Sequence, residues 1–296
     1  MIERLAIIGV GLIGGSLARA LRAVGMVGEV IGCGRTAENL RLAFDLGVID
    51  GCTQDPAAAV KHADMVLLAV PLGAMRSTFQ QIGDTLSADA VVTDVGSVKG
   101  SVVADAAAVF GQVPPWLVPG HPIAGTERSG VAASFPELYQ NRRVILTPLP
   151  RTDSGAVVKV RAMWQATGAE VTEMDVAHHD QVLAATSHLP HMLAFGLVDS
   201  LARMQDNNEI FRYAAGGFRD FTRIASSNPV MWRDICIANS DALSTMLGRF
   251  GAEVAHLAEA IRHRDGDQLL EVFTSAKSAR DHFVDGIDTQ ASDPPR

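Results

Sequence analysis

Residues 9–16 read GVGLIGGS. They follow the apolar run Leu5–Val10 and open the helical pattern Leu12–Val24. Gly9, Gly11 and Gly14 stand in the G-x-G-x-x-G frame of a dinucleotide-binding turn. One glycine makes the tight turn, one lets backbone approach a pyrophosphate, and one lets helix pack on strand. The helix that starts at Leu12 and Ile13 then turns its unsatisfied N–H groups toward the phosphates. Gly9, Gly11, Leu12, Ile13 and Gly14 are therefore the expected core of an NAD or NADP site. A turn with no ligand is the rival reading.

Two further segments bear on the cofactor. The second strand ends VIGCGRTAEN, residues 30–39, with Gly34, Arg35 and Thr36 at its tip. An NAD-selective site usually carries Asp or Glu there for the ribose 2′-OH. An arginine without that carboxylate suits a 2′-phosphate, so Arg35 and Thr36 lean toward NADP; stacking on adenine or plain solvation is the alternative for Arg35. Val70 and Pro71, closing the apolar run Met65–Val70, are assigned to the same cofactor site.

Alternation continues outward from the comb. Apolar strand-like runs recur at Glu29–Gly32, Met65–Val70, Val91–Val95 and Leu117–Val118, with helical patterns such as Thr36–Leu46 between them. This predicts an α/β Rossmann-type domain with a parallel sheet covered on both faces. Arg143–Thr147 and Glu170–Met174 are expected as two more strands at its edge. After about Asp175 the strands stop, and Leu243, Met246, Leu247, Phe250, Val254, Leu257 and Ile261 fall at helical spacing. A further helix is expected over Asp267–Phe283. The expected division is a dinucleotide-binding domain over 1–175, an all-α domain over 176–285, and a disordered tail over 286–296.

Bulk properties narrow the partners. The 296 residues carry a net charge of −8 and 48% hydrophobic residues, with a pI of about 5.6. This argues against nucleic acid and anionic membranes, and an anionic substrate must be held by local arginines. Cys33, Cys52 and Cys236 are odd in number and lack CxxC spacing, which reads as a reducing cytoplasm without a disulfide framework. The N-terminus lacks the pattern of a secretory signal, and no run of about 20 apolar residues marks a membrane span.

Two polar constellations remain. HHDQVLAATSHLPH (178–191) groups His178, His179, Asp180, Ser187, His188 and His191. Ser187 and His191 are i, i+4 and share a helix face, and Pro190 can kink that helix. No third ligand stands at metal-site spacing, so no metal is expected. GGFRDFTRIASSNPVMW (216–232) sets Arg219 and Arg223 at i, i+4 and Asp220 three residues before Arg223. Paired guanidinium forks suit a carboxylate substrate. A structural ion pair is the competing reading.

Taken together, GVGLIGGSLA (9–18), DVGSVK (94–99), GHPIAGTERSG (120–130), TSHLPH (186–191) and GGFRDFTRIASSNP (216–229) resemble the prephenate dehydrogenase family, which includes arogenate and cyclohexadienyl dehydrogenases. The resemblance runs in order from residue 5 to about 285. It implies a Rossmann-type domain, a helical domain that builds a homodimer, and an active site in the cleft between them. The implied reaction is oxidative decarboxylation of prephenate to 4-hydroxyphenylpyruvate, or of arogenate to tyrosine. By the same resemblance His121 is the base for the substrate hydroxyl, and Ser97 sets this histidine and the nicotinamide. His191, Arg223, Ser187 and the backbone of Gly216 meet the dicarboxylate substrate, with Arg223 on a carboxylate. Glu127 matches a polar residue at the mouth of the cleft, with Asp220 as its ionic partner. The resemblance also leads to the expectation that no mutase domain precedes the comb and no regulatory domain follows.

Two rival functions stay open at this point. One is another two-domain dehydrogenase of the β-hydroxyacid type, with Lys99 as its catalytic lysine. The other is a non-catalytic NAD(P)-sensing dimer, which would not need His121, His191 and Arg223 together.

Overall fold

The computed structural model describes residues 1–291 except Asp206. The chain opens with β1 (Ile2–Ile8), α1 (Leu12–Ala23), β2 (Val27–Cys33), α2 (Ala37–Asp45), β3 (Gly51–Thr53), α3 (Pro56–Val60) and β4 (Met65–Leu68). It continues with α4 (Met75–Ile82), β5 (Val91–Asp94), α5 (Lys99–Phe110) and β6 (Leu117–Val118). All six strands are parallel, in the order β3-β2-β1-β4-β5-β6. The order reverses between β1 and β4, and ligands of such sheets bind at that switch, outside the strand C-termini.

The period of two along each strand explains why helices cover both faces. Leu5, Ile7, Met65 and Leu67 point to one side, where they join Leu17 and Leu21 of α1. Ala6, Ile8, Val66 and Leu68 point to the other, where they join Phe79 of α4 and Val102 of α5. At about 25 cal/mol per Å² of buried apolar surface, these two clusters are the main source of stability for the sheet.

The chain then turns away from this sheet. β7 (Gly120–Pro122) pairs antiparallel with β8 (Arg143–Leu146), and β8 pairs parallel with β9 (Glu170–Glu173). Between β8 and β9 lies α6 (Ser154–Ala166), which adds Trp164 to the first cluster. The strands expected at the edge of the large sheet thus belong to a separate three-stranded sheet. The local reason is the next ladder donor: the Gly120 N–H goes to the Asp94 carboxylate at 3.1 Å, so pairing with β5 ends after Val118, while the Pro119 carbonyl accepts from Thr147 N–H.

Helices follow: α7 (Val176–Leu183), a π-helical turn over Ala184–His188, α8 (Leu189–Ala202), α9 (Asn207–Arg212), α10 (Gly216–Thr222), α11 (Pro229–Ala238), α12 (Ser240–His263) and α13 (Gly266–Ala291). By internal contacts the chain forms two compact units, Met1–Leu243 and Ser244–Arg296. The first unit runs beyond the sequence boundary near Asp175 because Trp232 and Ile235 of α11 are buried in the second cluster with Leu72 and Met75. α13 extends past Ile287, where a disordered tail was expected; the first proline beyond it is Pro294. Residues 292–296 of that tail lie outside the described residues. Among the described residues, no helix is long and apolar enough to cross a membrane.

Candidate active site

The glycine comb sits at the switch point. Gly9 has φ +103°, and a Cβ there would lie 2.2 Å from the Ala69 carbonyl oxygen, so only glycine lets β1 close against the end of β4. A Cβ on Gly14 would meet the Gly9 oxygen at 2.6 Å, which fixes how closely α1 approaches the strand. At Gly11 a Cβ would meet nothing within 4 Å. That open space, in front of a helix whose N-cap Gly11 carries no side-chain hydrogen bond, fits a pyrophosphate. Val70 and Pro71 lie just beyond β4, and Thr36 caps α2 without a side-chain bond. Arg35 is exposed, and its carbonyl accepts from Gln54 Nε2 at 2.6 Å. Among the described residues its guanidinium forms no hydrogen bond or ion pair.

His121 stands in β7, where it pairs with Ile145. It is buried. Its Nδ1 lies 2.9 Å from His179 Nε2, and His179 Nδ1 lies 2.8 Å from Asp180 Oδ1. The carboxylate also accepts the backbone N–H groups of Lys99 and Gly100, each at 2.8 Å. Burial pushes the Asp180 carboxyl up, but the hydrogen bonds from His179, Lys99 and Gly100 outweigh it and hold the group below the ordinary carboxylate range.

An ionised Asp180 fixes the protons along this line. It only accepts, so His179 donates to it from Nδ1, and in the neutral imidazole this leaves Nε2 as the acceptor. His121 then donates from Nδ1, and its Nε2 keeps a lone pair. Burial, followed by the charges of His179, Lys99 and His188, pushes the His121 pKa well below 6.5. At neutral pH His121 is an unprotonated base with its lone pair on the nitrogen away from the relay.

A second group of side chains adjoins the first. Asn239 Nδ2 donates to the Asp180 carbonyl at 2.8 Å and lies 3.1 Å from His188 Nδ1. His188 is buried, and burial pushes its pKa down to about 4 against the pull of Asp180. His191 donates from Nδ1 to the Ser187 carbonyl at 2.8 Å, and its ring stacks on Trp232 at 3.7 Å between centroids. Burial lowers the His191 pKa, opposed by that hydrogen bond and assisted by Arg223. Arg223 lies 3.6 Å from Glu127, with both side chains largely exposed. Such a pair contributes at most about 1 kcal/mol, so a substrate carboxylate competes for Arg223 at small cost.

His121, His191, Arg223 and Glu127 thus lie in one electrostatically linked series, all within the unit Met1–Leu243. The other assigned residues make fewer contacts. Ser97 forms no side-chain hydrogen bond among the described residues, so the expected contact with His121 is not made in the protein alone. Asp220 is exposed and forms no ion pair among the described residues; the acid paired with Arg223 is Glu127. Gly216 starts α10 at the surface. Sequence reasoning grouped His179 and Asp180 in the 178–191 constellation without giving either a role, and it missed Asn239 and Trp232. The adjacent His-Asp pair at 179–180 was the available signal. Lys99, the lysine of the rival dehydrogenase reading, is fully buried, bonded to Asp94 and to the Gly120 carbonyl.

Comparison with known proteins accords with this geometry. Residues 17–173 match the family model of the prephenate dehydrogenase nucleotide-binding domain, and residues 175–275 match that of the prephenate dehydrogenase dimerization domain. The chain belongs to the prephenate dehydrogenase family. Within the family it is 40% identical to cyclohexadienyl dehydrogenase of Zymomonas mobilis, over 94% of this chain and 95% of that protein. It is 36% identical to prephenate dehydrogenase of Bacillus subtilis, over 95% of this chain and 76% of that protein. Among solved structures, prephenate dehydrogenase from Aquifex aeolicus in complex with hydroxyphenyl propionate and NAD+ is similar at a TM-score of 0.89 and 38% identity, covering 96% of this chain and 99% of that one.

Proposed function

We propose that this chain catalyses the NAD(P)-dependent oxidative decarboxylation of prephenate to 4-hydroxyphenylpyruvate in tyrosine biosynthesis, with arogenate as the alternative substrate. The observation that carries this reading is the line Asp180–His179–His121, which ends in an unprotonated, buried imidazole nitrogen. Gly9, Gly11, Leu12, Ile13 and Gly14 would hold the cofactor, with Val70, Pro71 and Ser97 alongside, and when bound it would supply the hydride acceptor. The ring carbon that bears the 4-hydroxyl gives up its hydrogen as hydride. The ring carboxylate leaves as CO2, and aromatisation drives the step.

His121 Nε2 accepts the hydroxyl proton as the hydride leaves. Burial and the neighbouring charges keep this imidazole in its unprotonated, proton-accepting form at neutral pH. The new imidazolium is stabilised through His179 by Asp180, which orients the pair without taking the proton itself, the division of labour known from Ser-His-Asp triads. Arg223 binds a substrate carboxylate, and Glu127 holds the guanidinium until substrate arrives. His191, fixed by Ser187 and Trp232, flanks the same space, with Asp220 and the Gly216 backbone at its rim.

Arg35 at the tip of β2 supports a preference for NADP. Replacing Arg35 with Ala should weaken NADP binding more than NAD binding; equal effects would reject the 2′-phosphate role. We place the enzyme in the cytoplasm, in keeping with its free cysteines, and read it as a homodimer. Leu247, Phe250, Val254 and Ile261 leave an apolar stripe exposed on α12, and the matched family domain is one of dimerization. The direct test is absorbance at 340 nm with prephenate or arogenate and each cofactor. Failure to reduce either cofactor with either substrate would overturn the proposal.

A further inference from the structure

Lys99 stands where the two ends of the His121 relay are anchored. It begins α5, and its side chain is fully buried beside Asp94, the last residue of β5. Isolated buried ions are costly, so a buried lysine persists only with its charge paired and its protons bonded. Here the bonds converge on one residue. Asp94 Oδ1 accepts the N–H of Gly120 at 3.1 Å, and Lys99 Nζ donates to the Gly120 carbonyl at 2.7 Å. Both peptide groups of Gly120 are fixed, immediately before His121. Gly120 has little room to move: a Cβ there would lie 3.1 Å from the Asp94 oxygen and 3.3 Å from Thr93 Oγ1. The main chain of the same lysine and of Gly100 holds both oxygens of Asp180.

We propose that Lys99 is a positioning residue for the reaction: its ammonium fixes the strand of His121 while its backbone fixes Asp180, and so it sets the spacing in which His121, His179 and Asp180 bond in line. This rests on the proposed function, in which His121 is the base. A merely structural ion pair would need no bond to Gly120 and no tie to the relay carboxylate. The lysine also adds positive charge beside His121, as do His179 on α7 and His188 in the π-helical turn; the carboxylates among these groups are Asp180, bonded to His179, and Asp94, bonded to Lys99.

The test compares wild type with Lys99→Met and with the double variant Asp94→Asn/Lys99→Met, using prephenate and NAD+ or NADP+. The double variant removes both buried charges together, so it can fold where the single one does not. Folding is checked by thermal unfolding. In whichever variant folds, kcat should fall about tenfold or more while KM for prephenate stays within about threefold, because alignment of the base is lost and substrate contacts remain. In Lys99→Met the acid limb of kcat/KM should move up by about half a pH unit or more, because a positive charge beside His121 is gone; the double variant removes one charge of each sign and is read by the proton resonance. The low-field imidazole proton resonance of the His121–His179 bond should disappear. A folded variant that keeps the wild-type pH profile and the proton resonance overturns the proposal, whatever its kcat. A wild-type chain that reduces neither cofactor would instead refute the proposed function, and the proton resonance alone would then decide the role of Lys99.

Discussion

Replacing Asp180 with Asn perturbs the base without touching it. The carboxylate accepts one bond from His179 and one each from the N–H groups of Lys99 and Gly100, all at 2.8 Å. An amide offers one accepting oxygen and one donating NH2. If the NH2 faces His179, that imidazole must accept at Nδ1 and carry its proton on Nε2. His121 Nδ1 then has to accept, and its own proton moves to Nε2, the nitrogen that should receive the substrate proton. If the oxygen faces His179 instead, the NH2 opposes the Gly100 N–H, and the negative charge that stabilises the imidazolium is still gone. A hydrogen bond to a charged group contributes about 1.5–3 kcal/mol. Its loss in the transition state corresponds to a fall in kcat of roughly 10- to 150-fold, and a wrong tautomer adds to this. The assay is the steady-state rate at 340 nm, with thermal unfolding as control because Asp180 also holds the first N–H groups of α5. A folded Asp180→Asn enzyme with kcat within twofold of wild type would refute the relay.

Other outcomes follow from the same geometry. Arg223→Ala should chiefly raise KM for prephenate, by about tenfold or more if the carboxylate pair is desolvated, and should leave stability within about 1 kcal/mol because its partner Glu127 is half exposed; kinetics and thermal unfolding together check both. The acid limb of kcat/KM should lie below pH 6.5, since burial and neighbouring charges lower the pKa of His121 in the free enzyme; a limb above 6.5 would contradict the assignment. Stability should also fall as pH drops below about 6.5, because the unfolded chain then binds protons that buried His121 and His188 refuse, the latter down to about 4; denaturant titrations across this window measure it. Gly9→Ala should cost about 1–3 kcal/mol or more through the positive φ and the 2.2 Å approach to Ala69, and should abolish cofactor binding measured by fluorescence titration.

The large sheet was legible in the sequence because its strands announce themselves by apolar runs at regular spacing, and the comb marks the switch point. The second sheet was not, because its boundary depends on the Gly120 N–H turning to the Asp94 carboxylate, 26 positions away in sequence, while β8 and β9 look like any other strand locally. The motifs located His121, His191, Arg223 and Glu127. The relay behind them was hidden because its members lie 58 positions apart between His121 and His179, and only folding brings β7 against α7. Asp220 shows the opposite error: i, i+3 spacing favoured it as the partner of Arg223, but α10 ends at Thr222 and Arg223 begins a 3₁₀ turn, which aims the guanidinium at Glu127 instead.

The central claim is that His121 accepts the proton while hydride passes to the nicotinamide. It is tested most directly by incubating wild type and His121→Asn with prephenate and cofactor, following reduced cofactor, CO2 and 4-hydroxyphenylpyruvate together. The account predicts equimolar formation of all three by wild type. It predicts a drop in kcat of about 10²-fold or more for His121→Asn, with cofactor affinity unchanged. A His121→Asn enzyme that turns over at the wild-type rate would contradict it.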